Sequence, residues 1–164
     1  MNKTKRLTTL AVCVAAAMIL SFIESQIPSF IPIPGVKLGL ANAATLFVIY
    51  KFGAREGAFV SAVRVSLSSI LFGSVSSFLY AAAGAALSFG IMLLLKRTEK
   101  FSITAISITG GVTHNIAQIL VSMLILQTEV VIFYLPALLI SGIATGAVIG
   151  IISALLVEKL NIKL

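Results

Sequence analysis

Aspartate and tryptophan are absent from this 164-residue chain, and cysteine and histidine occur once each. Each absence closes a class of function. Without aspartate there is no Asp-rich motif to hold a magnesium-bound diphosphate. One histidine and one cysteine make no Cys/His cluster for zinc or iron, so no metal site is expected. Cys13 has no second cysteine to pair with and reads as a small buried hydrophobe. No G-x-x-x-x-G-K-[ST] loop is present, which excludes ATP binding in the P-loop manner. Neither a cofactor nor a catalytic residue is expected.

Charge is scarce too. Charged residues make up 10% of the chain and hydrophobic ones 59%, with a mean hydropathy of +1.14, a balance that belongs to polytopic membrane proteins. No polar stretch is long enough to fold by itself, so residues 1–164 read as a single integral membrane domain. The net charge of +7 does not point to nucleic acid. Its cations sit in small clusters between apolar runs, without the interleaved aromatics of a nucleic-acid patch.

The stretch from Ile31 to Ala44, IPIPGVKLGLANAA, interrupts this apolar chain with prolines, glycines, a lysine and an asparagine. Pro32, Pro34 and Gly35 stop any helix arriving from the amino-terminal side. A new helix can begin just after them, but from Leu38 to Lys51 it has about fourteen residues, or roughly 21 Å, against a hydrocarbon core of roughly 30 Å. Broken backbone at membrane depth is tolerated only where protein covers it or water reaches it, which makes this stretch the first candidate for a ligand site. The other apolar runs are Leu7–Ile23, Glu56–Phe72, Val75–Leu95, Phe101–Leu126 and Val130–Val157. The first is read as a transmembrane helix rather than a cleaved signal. The expected fold is an all-α bundle of six transmembrane helices with a broken Pro-Gly segment before a short second helix.

Six spans put both termini on one side. Lys3, Lys5, Arg6, Lys51, Arg55, Lys96, Arg97, Lys100, Lys159 and Lys163 all fall there, and Lys37 alone falls opposite, so both termini of a multi-pass cell-membrane protein are expected in the cytoplasm.

Inside the spans, polar residues recur at helical spacing. Gly57, Ser61, Arg64 and Ser68 share one face, Ser77, Tyr80, Gly84 and Ser88 a second, and Gly111, Asn115, Gln118 and Ser122 a third, with His114 beside it. Serines and amides commonly hold membrane helices together. Arg64 near mid-membrane is costlier and marks a pathway or a partner. All the glutamates lie at or beyond the expected span ends, so Arg64 has no evident buried acid, and a ligand would supply the missing charge. The candidate binding residues are Lys37, Asn42, Arg64, Tyr80, His114, Asn115 and Gln118, and the expected substrate is a small anion reached from the outer face. Replacing Arg64 with Gln should then weaken binding without destabilising the empty protein. Glu24 threatens this logic, since it could reach Lys37 and neutralise it. Small residues form two ridges, Ala11 with Ala15 in the first span, and Gly142, Gly146, Gly150 and Ala154 in the sixth. Packing within the chain is the default for the second; the first could serve a partner protein.

Gly35–Tyr50 (GVKLGLANAATLFVIY), the Arg64 span and Thr113–Gln118 (THNIAQ) resemble, over nearly the full length, the membrane proteins labelled heptaprenyl diphosphate synthase component I, also called the Gx transporter family. The six-span layout also resembles the substrate-binding subunits of energy-coupling-factor transporters. In those, a first-span A-x-x-x-A motif contacts the transmembrane coupling subunit, and Ala11 and Ala15 have that spacing. The second resemblance implies a subunit that captures a small anionic solute and moves it with an ATPase and a coupling subunit. The first implies a membrane accessory to a prenyl diphosphate synthase. Lacking aspartate, this chain would be the non-catalytic member, partnered by a soluble synthase subunit. Substrate, membrane lipid and one of these partner sets are thus expected, and nucleic acid is not.

Overall fold

The structure, a computed structural model, describes residues 3–26, 40 and 42–159. Among them the chain is all-helical: α1 (Lys3–Gln26), α2 (Asn42–Lys51), α3 (Ala54–Phe72), α4 (Val75–Thr98), α5 (Ile103–Leu126) and α6 (Leu135–Lys159), with a 3₁₀ turn at Val130–Tyr134 leading into α6. The Pro-Gly segment and Lys37 lie outside the described residues.

The helices end where the local chemistry ends them. Gly53 turns the chain between α2 and α3 at φ 108°, a conformation glycine adopts without steric cost. The Ser74 and Ser102 hydroxyls accept from the backbone N–H of Ser77 and Ala105 and cap α4 and α5. Glu99 and Gln127 close the same two helices in left-handed turns. Pro136 is the second residue of α6, where a missing N–H breaks no helical bond.

Six helices were expected and six are described, but not all of them are spans in their own right. α1, α4, α5 and the Val130–Lys159 stretch are long and apolar enough to cross a membrane, which marks the chain as a membrane protein. With 10 residues, α2 is about 15 Å long, half the hydrocarbon thickness. α3 has 19 residues and carries Arg55, Glu56 and Arg64.

The surroundings of α2 explain how so short a helix is accommodated. Asn42 and every residue from Ala44 to Ile49 are buried, the pattern of a helix enclosed by protein on all sides. Phe47 and Val48 pack with Leu10 and Cys13 of α1 and Val60 of α3. Leu46 and Ile49 pack with Met92 of α4 and Ile106 of α5. The Ser153 hydroxyl of α6 donates to the Ala43 carbonyl at 3.5 Å. The short helix is the axis of the bundle, and lipid contact falls to its neighbours.

Helices in lipid gain little from apolar burial and associate through close approach. Here α5 and α6 supply it. A Cβ on Gly111 would stand 2.6 Å from the Gly142 carbonyl oxygen, one on Gly146 2.7 Å from the Ile108 Cα, and one on Gly150 2.6 Å from the Thr104 Cα. The sixth-span ridge is therefore spent on α5, within the chain. Ala11 and Ala15 are exposed.

Candidate functional site

The three polar faces read from helical spacing all turn inward. Gly57, Ser61, Arg64 and Ser68 are buried on α3, as are Ser77, Tyr80, Gly84 and Ser88 on α4, and Gly111, His114, Asn115, Gln118 and Ser122 on α5. The interior of this membrane bundle is polar by design of the sequence, since each face repeats at three or four residues.

Arg64 anchors one end of that interior. It is 4% exposed, and its Nη2 donates to Asn42 Oδ1 at 3.3 Å, tying mid-α3 to the first turn of α2. Its charge is not unanswered. Glu24, in the last turn of α1, is 5% exposed, and its carboxylate acts electrostatically on the Arg64 guanidinium. The expectation that Arg64 lacks a buried acid is corrected here. α1 continues to Gln26, so Glu24 lies within the helix rather than beyond it, and the packing of α1 on α3 carries it inward. For Arg64, charge balance alone no longer calls for an anionic ligand.

The other candidate residues gather where α4, α5 and α6 meet. Gly84 leaves the room that the His114 imidazole occupies, for a Cβ there would fall 2.7 Å from ring atoms. Asn115 is fully buried, and its Nδ2 donates to the Leu138 carbonyl at 2.6 Å. The side chain of Tyr80 packs with Ile119, Val131 and Leu138, a core position. Gln118 has zero exposure, yet among the described residues neither its Oε1 nor its Nε2 has a hydrogen-bond partner. The hydroxyls of Ser69, Ser77 and Ser122 are in the same condition. A group of this kind costs about 1–3 kcal/mol when buried unsatisfied; a serine hydroxyl in a helix can turn to a carbonyl three or four residues back, which leaves the Gln118 amide as the group that needs a partner from outside its own helix.

A cavity of about 10 Å³ is bordered by Asn42, Ser107, Gly110, Gly111 and Thr145 among others, room for roughly one water. Asn42, which accepts from Arg64, shares this cavity with the α5 turn preceding His114, although no direct hydrogen bond joins the groups among the described residues.

A much larger space lies elsewhere. A groove of about 310 Å³ runs between α3 and α4, walled by Ala58, Ala62, Val65, Phe78, Ala82 and Phe89 among others. Ala58, Ala62 and Phe78 on its rim are exposed, so it opens on the outer surface of the bundle. None of the candidate residues lines it. Sequence reading missed it because most of its wall is alanine and phenylalanine, which carry no polar signal; Ser61 of the α3 polar face lines it, and the spacing of Ala58 and Ala62 was a further hint.

Residues 13–156 match the family described as heptaprenyl diphosphate synthase component I. The match covers most of the chain, and the protein belongs to that family. No curated protein and no solved structure shows significant similarity to it.

Proposed function

We propose that this member of the component I family is a non-catalytic membrane subunit that binds a small solute within its helix bundle and acts through a partner protein. The buried, unsatisfied amide of Gln118 carries the reading. A packed membrane interior does not keep such a group without something to bond it.

Two partners come into question, each with its own observation. The family's description favours a soluble prenyl diphosphate synthase subunit, to which this chain would be the membrane accessory. The apolar groove between α3 and α4 suits that role, since an isoprenoid chain could lie along it from the lipid side. The second reading is a solute-capture subunit driven by an ATPase through a transmembrane coupling subunit, with both termini cytoplasmic and the solute taken from the outer face. It is favoured by the exposure of Ala11 and Ala15, a small-residue ridge that no helix of this chain covers among the described residues. The anionic solute expected with it rested on Lys37, Arg64 and His114 lacking a matching acid; Glu24 weakens that ground for Arg64, and Lys37 lies outside the described residues.

Purification of the tagged full chain from its native membranes, followed by identification of co-purifying proteins and retained small molecules, tests the reading. A prenyl synthase subunit would establish the first partnership, an ATPase with a membrane subunit the second. Recovery of the chain with neither partner nor solute would leave a purely structural membrane protein and refute the proposal.

A further inference from the structure

Going beyond solute binding inside the bundle, on which it does not depend, we infer that the groove between α3 and α4 seats one hydrocarbon tail of an anionic phospholipid, with Arg55 and Arg97 holding the phosphate at one end. Helix register sets the groove. A Cβ on Gly57 would stand 3.2 Å from the Phe89 ring, so the start of α3 lies beside Phe89 and the two helices run antiparallel. The walls extend from Ala58 to Ser66 on α3 and from Phe89 back to Phe78 on α4, about 12–16 Å at 1.5 Å per residue. A volume of about 310 Å³ over that length leaves a channel roughly 5–6 Å across, wide enough for one hydrocarbon chain and about half the diameter of an α-helix with its side chains. A partner helix is too thick to enter. The length matches one leaflet, about half of a hydrocarbon core of roughly 30 Å, whereas a polyprenyl chain many units long would outrun it.

Charge selects the headgroup. Arg55 precedes Ala58 and Ala62 by three and seven residues, and Arg97 follows Ala86 by eleven, close to three full turns. Each arginine therefore continues a wall of the groove toward the membrane face where the basic residues cluster. Both are exposed. Helical side chains lean toward the amino end of their helix, which aims Arg55 outward from the membrane and Arg97 back toward the groove, so their levels converge. Of the other charged groups nearby, Glu56 pairs with Arg6, Lys96 Nζ donates to the Ile49 carbonyl at 2.6 Å, and Glu99 stands between Arg97 and Lys100. The balance at this end of the groove is positive. Arginines at the edge of an apolar slot between membrane helices suit a phosphate headgroup, whose oxygens accept parallel N–H donors from a guanidinium. A zwitterionic head would bring its own cation against them, which costs part of that attraction.

The test uses the full chain in a neutral detergent, melted with added phosphatidylglycerol, with phosphatidylcholine of the same tails, and with farnesyl diphosphate. Phosphatidylglycerol should raise the melting temperature more than phosphatidylcholine does. Arg55→Gln combined with Arg97→Gln should weaken its apparent affinity at least about tenfold. Ala62→Phe, which puts a ring in the channel at an exposed position, should abolish the difference between the two lipids. Lys3→Gln combined with Lys159→Gln removes the same charge from the same membrane face away from the groove, and should leave the phosphatidylglycerol shift as in wild type. An equal response to both phospholipids, no response to either, or an equal loss in the two double variants would overturn the inference. Stabilisation by farnesyl diphosphate alone would overturn it too, and would give the groove to the isoprenoid of the first partnership. Melting curves without lipid verify each fold; if Ala62→Phe does not fold, the two double variants, changed only at exposed positions, decide. Solute retained inside the bundle is read separately, so either reading can fail while the other stands.

Discussion

Glu24 on α1 and Arg64 on α3, 5% and 4% exposed, place opposite charges within electrostatic reach inside the bundle. Asn42 of α2 completes the arrangement by accepting from Arg64 Nη2. The Arg64–Asn42 contact ties α2 to α3, and the central helix is held by it as well as by its apolar neighbours.

The first prediction follows from that pairing and reverses what charge counting along the sequence implies for Arg64. Arg64→Gln leaves the Glu24 carboxylate buried beside a neutral amide, and Glu24→Gln leaves the guanidinium in the same position. Removing one of two opposite charges buried near each other leaves the other uncompensated, which is destabilising, whereas replacing both is milder. Each single variant should therefore melt well below wild type, and the double variant should recover more than half of the loss. Additive losses in the double variant would show that the two charges do not depend on each other.

The polar faces were legible in the sequence because residues such as Ser61, Arg64 and Ser68 repeat at helical spacing whatever the tertiary arrangement. The role of Glu24 was not. It depends on α1 running three residues past the end of its apolar run at Ile23 and on how α1 crosses α3, which no local pattern encodes. The enclosure of α2 was half legible, since its shortness calls for protein cover but does not say which helices provide it. The α3–α4 groove was invisible, because its alanines read equally well as tight packing.

Orientation gives the second prediction. Lysines and arginines cluster at the ends of the helices shared by the two termini, so the turn at Gln127 should face outward and the turn at Thr98 inward. Both positions are exposed, and the native Cys13 is buried. A membrane-impermeant thiol reagent added to intact cells should label Gln127→Cys and spare Thr98→Cys. The opposite pattern would invert the topology.

The glycine contacts between α5 and α6 supply the third. Gly111→Ala places a methyl group 2.6 Å from the Gly142 carbonyl oxygen, and because that neighbour is backbone the two helices must separate. Gly90→Ala meets nothing within 4 Å and should gain up to about 1 kcal/mol from helix propensity alone. Melting curves of the two variants should therefore shift in opposite directions. A tolerated Gly111→Ala would mean that α5 and α6 do not pack through this ridge.

The last prediction concerns Ala11 and Ala15, which lie one helical turn apart on the exposed side of α1. Small residues at this spacing let another helix approach closely, and no helix of the chain does so among the described residues. Leucine at either position should leave melting temperature and solute retention unchanged, because nothing inside the bundle has to move. The same change should reduce recovery of a membrane partner in co-purification at least about tenfold, or roughly 1.4 kcal/mol of lost association. Unaltered recovery would assign this face to lipid. A fall in the melting temperature of the isolated chain would instead place Ala11 and Ala15 inside its own packing, and the partner reading of α1 would be lost with it.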